Sequence, residues 1–314
     1  MNRPAPALIV VTFLILTLIW GTTWAAIRVS LEGFPPFTGL AIRFALAAAL
    51  LLVMMRLFNI RFARTPGERR IWALNASLSF CGSYGIVYWS EQYIPSGLAS
   101  VLFATFPLFV ALFAHVALPG DRLTPGRLAG ILIGFGGVAV IFSEDFSRLG
   151  DERVGLASVV MLGSPLVSAA ANVGAKRWGA GVHPFSMTAV PMGIAALAMG
   201  VVAAVLESDR PVTLATAPVL ALLYLTVLGS AVTFTLYYWL LAHVSATRLS
   251  LLAFTMPVVA VLFGALFMHE PITGRTLAGG ALVLAGVAVA LRGPGRPRAP
   301  HAAKNRVETR PGQA

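Results

Sequence analysis

Ten runs of apolar residues constrain this chain more than any other feature of its sequence. They cover residues 7–27, 37–55, 71–90, 97–118, 123–142, 154–175, 183–206, 217–241, 249–268 and 276–291. A bilayer's hydrocarbon core is about 30 Å thick and is crossed by roughly 20 helical residues, so each run is long enough, or nearly so, to span it. The pattern excludes a soluble fold. Of 314 residues, 58% are hydrophobic and 11% are charged, against about 25% charged in a globular domain. That is too little polar surface to cover a core. The two tightest runs are flanked by Arg127, Arg275 and Arg292, whose stems can snorkel to the interface. The first run reads as a span rather than a leader, being too long and lacking an A-x-A site. The expectation is an all-α integral membrane protein with ten transmembrane helices.

Orientation follows from where the cations fall. With the amino terminus in the cytoplasm, most of the 23 Lys and Arg lie inside, among them Arg56, Arg61, Arg69, Arg70, Arg122, Arg127, Lys176, Arg177 and Arg248. Most of the 12 acids lie outside. Ten spans then leave both termini cytoplasmic. Lysine occurs only at Lys176 and Lys304, with arginine at the other basic positions. That usage points to a high-GC bacterium and so to its inner (plasma) membrane.

The second half of the chain repeats the first. Tyr88-Trp89 recurs 150 residues later as Tyr238-Trp239, and Ser100, Thr105 and Pro107 match Ser250, Thr255 and Pro257. Leu128-Ala129-Gly130 answers Leu277-Ala278-Gly279, and Gly137 to Val140 answers Gly286 to Val289. Each unit holds five spans, an odd number, so the second copy must be upside down relative to the first. Inverted repeats of this kind serve alternating access around a midplane site. The expected division is a cytoplasmic segment 1–6, a first five-helix repeat 7–143, an outer linker 144–153, a second five-helix repeat 154–292, and a disordered basic tail 293–314.

These motifs resemble the drug/metabolite transporter superfamily, in particular its ten-span EamA branch. The residues that carry the resemblance are Trp20-Gly21-Thr22-Thr23-Trp24, Arg43-Phe44, Tyr88-Trp89, Ala99-Ser100, Thr105 to Pro107, the glycine-rich Gly134 to Val140, Met256-Pro257 and His269-Glu270-Pro271. It covers residues from about 7 to about 292. It implies movement of small organic solutes, often amino acids or other metabolites. It also implies a central cavity lined from both halves, with the fifth and tenth spans at the periphery.

Polar groups inside a membrane are costly and mark candidate sites. Arg43 lies well inside the second span. It suits a carboxylate or phosphate on a solute, or else snorkels and caps loop carbonyls or pairs with Glu32 or Glu91. Trp20 and Trp24 are four apart and share a helix face, with Thr23 between them; Tyr84 and Tyr88 are likewise four apart. Tyr238 echoes Tyr88, and Asn172 stands about where Trp24 does in the other half. Each can line a solute cavity, and the aromatic ones can instead belong to an interfacial aromatic belt. Pro107 and Pro257 fall near mid-span and remove a backbone hydrogen bond. Thr105 and Thr255 are near enough to satisfy the freed carbonyls, which makes either a hinge or a fixed kink. The glycines from Gly130 to Gly137 have the spacing of close helix packing.

The acids Glu32, Glu91, Glu144, Glu207 and Glu270 fall at span ends. The first span lacks the embedded glutamate of the superfamily's small multidrug exporters, so their proton chemistry does not transfer; Glu91 is the remaining candidate for proton coupling. The single cysteine, Cys81, excludes an internal disulfide and a cysteine metal cluster. No cofactor, metal or nucleic-acid signature is present, and no HExxH, GxSxG or paired carboxylate supports a membrane enzyme. No ring of like groups supports a channel. A secondary carrier for an amphipathic metabolite, most simply an exporter, is the leading expectation. Its partners are a small-molecule solute and the lipid bilayer. Uptake or exchange of a phosphorylated or sugar-linked solute, or channel-like facilitation, is the alternative.

Overall fold

The structure, a computed structural model, describes residues 4–62, 65–143, 152–267 and 273–292. Most of the expected linker 144–153, the tail 293–314, and Glu144, His269, Glu270 and Pro271 lie outside the described residues. The described residues form helices and no strand. In chain order these are α1 (Pro6–Leu31), α2 (Pro36–Leu57), α3 (Pro66–Leu74), α4 (Tyr84–Ser90), α5 (Ser96–Phe103), α6 (Phe106–Ala117), α7 (Pro125–Ile141) and α8 (Glu152–Met161). They continue with α9 (Gly163–Trp178), α10 (Pro184–Leu206), α11 (Thr216–Thr226), α12 (Thr233–His243), α13 (Ala246–Ser250), α14 (Leu252–Phe267) and α15 (Gly274–Arg292).

Eight helical stretches are long and apolar enough to cross a membrane. The expected run 71–90 is carried by α3, a π-helical segment Asn75–Ser83, and α4, and the run 123–142 by the 17-residue α7. Proline opens α1, α2, α3, α7 and α10, where its missing N–H costs nothing and its φ is already helical. Thr65, Thr124 and Ser245 accept from the backbone N–H of Glu68, Arg127 and Arg248, capping α3, α7 and α13.

Large apolar side chains cover the outside of the bundle as well as its core. On α10, Leu197, Val201 and Val205 form an exposed stripe one turn apart, while Ser186, Thr188 and Ala189 are buried. Such a stripe is a liability in water and the normal face toward lipid.

Helices from the two halves interleave. α2 packs on α10, α7 on α15, α1 on α14, and α9 on α6. The first two pairs are antiparallel. Glu207, at the end of α10, accepts from Phe37 N and Thr38 N at the start of α2, at 2.9 and 2.7 Å. In the second pair, a Cβ at Gly137 would lie 2.6 Å from Val283 N, one at Gly279 2.6 Å from Ile141 Cγ1, and one at Gly130 2.6 Å from Gly286 O. These contacts map onto one another when the two helices are exchanged. Glycine is required there because the backbones touch. The α7–α15 pair joins α5, α6 and α14 in a small apolar cluster apart from the main core.

The two prolines expected near mid-span have different settings. Pro107 sits in the first turn of α6, after a break at Ala104–Thr105, so it starts a helix rather than bending one. Pro257 is inside α14, and the break of that stretch falls earlier, at Leu251. Thr105 and Thr255 bond Leu102 O and Leu252 O, three residues back, not the carbonyls four back that the prolines vacate. The sequence also gave no sign of the π-helical segments, Asn75–Ser83 and Val227–Val232. They occupy corresponding places in the two halves.

Candidate functional site

A cavity of about 100 Å³ lies where the two halves meet. α1 contributes Trp20, Thr23, Trp24 and Ile27; the π-helical segment and α4 contribute Ser79, Ser83, Tyr84 and Val87. Ser168 and Asn172 come from α9, Phe234, Tyr237 and Tyr238 from α12, and Phe103, Phe106, Leu249, Leu252, Ala253 and Met256 complete the wall. Its aromatic rings support one another. Trp20 meets Phe234 at 5.4 Å and Tyr237 at 5.2 Å, and Tyr84 meets Phe234 at 5.7 Å, all tilted or edge-on, the preferred quadrupolar geometry.

Polar groups punctuate this wall. Ser168 donates to Ser83 at 2.7 Å, and Ser83 bonds Ser164 at 2.8 Å, tying the two halves together. Asn172 Nδ2 donates to the Tyr237 hydroxyl. Two buried atoms of the lining have no partner among the described residues: the donor Trp20 Nε1 and the acceptor Asn172 Oδ1. Both atoms are closed off from solvent in this structure, and an unpaired buried polar atom costs about 1–3 kcal/mol.

Of the residues expected from sequence, Trp20, Thr23, Trp24, Tyr84, Asn172 and Tyr238 line this cavity, and Tyr88, Thr105, Thr255, Pro107, Pro257, Arg43 and Glu91 do not. Thr255 bonds Thr17 at 3.0 Å. Arg43 is wholly buried behind the wall. Its Nε donates to Ser230 Oγ at 2.8 Å, its NH1 to the Tyr88 hydroxyl at 3.2 Å, and its NH2 to Gly229 O at 3.1 Å in the second π-helical segment. Its guanidinium lies 5.0 Å from the Tyr84 ring centre. It pairs with neither Glu32 nor Glu91, and no described carboxylate neutralises it. The cavity therefore sits in the field of a fixed positive charge screened by one aromatic ring. Counted from the Pro-Phe that opens each helix, Pro36 in α2 and Pro184 in α10, the place of Arg43 is taken in α10 by Pro191, so only one half carries the charge. Spacing offered a signal for the members that were missed. Ser79 and Ser83, Ser168 and Asn172, and Phe234 and Tyr238 are each four apart, which puts each pair on one helix face.

Each end of the bundle carries a cation bonded to backbone carbonyls. Arg28, in the last turn of α1, donates through NH1 to Glu91 O at 2.5 Å. Lys176, in the last turn of α9, donates to Leu241 O at 2.5 Å and to Val244 O at 2.8 Å. Glu91 and Leu241 are 150 residues apart, the interval that separates Tyr88 from Tyr238. The two contacts are therefore equivalent under the duplication and stand at opposite ends. Glu91 is itself buried in the turn after α4; Oε2 accepts from Ser96 at 3.3 Å and Oε1 has no partner among the described residues. Burial pushes its carboxyl up to about 8, against the lowering pull of Ser96, Arg28 and Arg43. No group of three or more His, Cys, Asp or Glu among the described residues is placed to hold a metal.

A lipid-facing helical bundle closed around a small cavity of mixed aromatic and polar lining is the build of a membrane transporter. The EamA-like transporter family model matches residues 7–143 and again 155–292. The chain is 31% identical over 289 residues to the uncharacterized inner membrane transporter YedA of Escherichia coli (strain K12), covering 88% of each. It is 26% identical over 271 residues to the uncharacterized transporter YoaV of Bacillus subtilis (strain 168), covering 86% of this chain and 92% of that one. One crystal structure of a protein aligns with a TM-score of 0.76 at 20% identity, over 92% of this chain and 97% of its own; that likeness shows the fold alone. The chain belongs to the EamA-like transporter family, within the drug/metabolite transporters, and is a multi-pass membrane protein.

Proposed function

We propose that the chain is a secondary carrier that exports small amphipathic metabolites, amino acids or related solutes, by alternating access. It would work as ten spans in two inverted five-helix repeats, 7–143 and 154–292, in a bacterial inner membrane with both termini cytoplasmic. The antiparallel, exchange-symmetric α7–α15 contact and the twofold family match support the inverted arrangement. The observation that carries the function is the cavity: rings for an apolar body, with an unpaired donor and acceptor, Trp20 Nε1 and Asn172 Oδ1, for a polar head. Trp24, Thr23, Tyr84 and Tyr238 complete the solute's surroundings. Arg43 acts from behind, through its field rather than by contact.

The Arg28 and Lys176 contacts serve as latches on opposite ends, one opening as the other holds. The alternative, a phosphorylated or sugar-linked solute, requires Arg43 to face the cavity. Its hydrogen bonds to Ser230, Tyr88 and Gly229 oppose that. Counterflow in proteoliposomes against amino acids, apolar amines and sugar phosphates tests the reading. Accumulation of amino acids or similar amphiphiles supports it, and accumulation confined to sugar phosphates overturns it.

A further inference from the structure

A second cavity, of about 930 Å³, opens at the end of the bundle that gathers the start of α1, the end of α9, the α12–α13 turn and the end of α15. One wall is cationic. Arg127, Lys176, Arg177 and Arg248 face it, against the single carboxylate of Asp121. That carboxylate is already engaged: it accepts from Arg127 NH1 at 2.9 Å and from Thr247 N at 3.0 Å. Lys176 is turned to backbone carbonyls, which leave its charge unneutralised. Among the described residues Arg177 reaches Ala117 O, at 3.4 Å, and the Trp178 ring, 5.9 Å from its centre. The Arg248 side chain has no hydrogen-bond or ion-pair partner among the described residues. The net positive charge of this wall is open to whatever enters.

The other wall is apolar. Val10 and Leu14 of α1 lie one turn apart and Leu291 stands on α15, all lining the cavity and all roughly half exposed. The stripe runs along α1 away from the charged mouth, in the direction of the bilayer interior. Cations at the level of the headgroups with a greasy stripe leading inward match one chemistry, a phosphate ester carrying an acyl chain. The chain's own residues 293–314 follow α15 directly but hold five Arg and Lys against one Glu. Like charge excludes them as the natural occupant. A small polar solute would leave the stripe unused.

We infer that this vestibule is a binding site for an anionic phospholipid, its phosphate on Arg248 and Arg177 and an acyl chain along Val10, Leu14 and Leu291. The lipid would bridge α9 and α13, beside the bonds that Lys176 of α9 makes to the end of α12 and that Asp121 makes to Thr247 of α13, and would hold that end of the bundle closed. The inference does not depend on the identity of the transported solute.

The test uses the full chain, purified in mild detergent with equal phosphatidylglycerol and phosphatidylcholine, and counts retained lipids by native mass spectrometry. Phosphatidylglycerol should be retained over phosphatidylcholine, and Arg248→Gln and Arg177→Gln should each cut that retention about fivefold. Arg248→Lys should restore much of it, which separates lost charge from misfolding. Val10→Ser with Leu14→Ser should weaken retention while every charge stays in place. Equal retention of the two lipids, insensitivity to both arginine substitutions, or displacement by glycerol phosphate at the same concentration overturns the site; the last result would make it a free-anion pocket.

Discussion

Replacing Lys176 with methionine, and separately Arg28 with methionine, should push the proposed alternating-access equilibrium in opposite directions. The Lys176 ammonium makes two good hydrogen bonds, to Leu241 O at 2.5 Å and Val244 O at 2.8 Å. Charged hydrogen bonds contribute about 1.5–3 kcal/mol each when dry. This amine is only partly buried, and solvent screening lowers the net effect of the pair to about 1–2 kcal/mol. That is a factor of roughly 5–30 in a two-state equilibrium, enough to change which end is open. Methionine keeps the length and apolar volume of the side chain and removes the donor.

The assay is single-cysteine accessibility in a Cys81→Ser background with Ala253→Cys, a position on the cavity wall. A membrane-impermeant maleimide is added from one side and then the other. Lys176→Met should raise labelling from the α13 end, and Arg28→Met from the α5 end. If both substitutions raise labelling from the same side, or neither changes it, the latch reasoning is refuted.

Four further outcomes follow from the geometry. Gly137→Leu should destabilise the protein by about 1–3 kcal/mol or more, because a side chain must enter a backbone-to-backbone contact; Gly136→Ala, with open space around it, should be within about 0.5 kcal/mol of neutral, both by thermal unfolding in detergent. Trp20→Phe keeps the ring and loses only the unpaired Nε1 donor, so solute affinity should fall about tenfold with folding intact; unchanged affinity would show that the indole N–H meets no solute. Glu91 binds its proton more tightly when buried, so opening at the α5 end should increase as pH rises from about 4.5 to about 8 and level off above. Glu91→Gln should flatten that profile, and an identical profile in the variant argues against Glu91 as the titrating group. Arg43→Lys keeps the charge but cannot reach Ser230, Tyr88 and Gly229 together. It should lower stability while preserving any preference for anionic over cationic solutes, whereas Arg43→Met should abolish the preference.

The helices were legible because lipid demands long uninterrupted apolar runs, and the glycine contact of α7 with α15 was foreshadowed by Gly130, Gly134 and Gly137. Six of the expected cavity residues line it, since residues four apart share a face. What hid was set by neighbours that no local pattern records. Arg43 faces away from the cavity because the second π-helical segment turns the Gly229 carbonyl toward it. A π insertion shifts the helix phase without changing composition, so hydrophobic periodicity passes over it. Pro107 begins a helix because the chain breaks two residues earlier, and mid-run position alone could not tell a start from a kink.

One guanidinium on one side of a twofold scaffold, opposite a proline, has a consequence for traffic through it. Under the proposed alternating access between two related halves, only one of which holds Arg43, a zwitterionic passenger would lower its energy by keeping its carboxylate toward the α2 side throughout passage. It would cross without tumbling, and its mirror image would bring a different face to the rings. Stereochemical preference is therefore expected of this carrier even where the walls touch nothing but a hydrocarbon side chain.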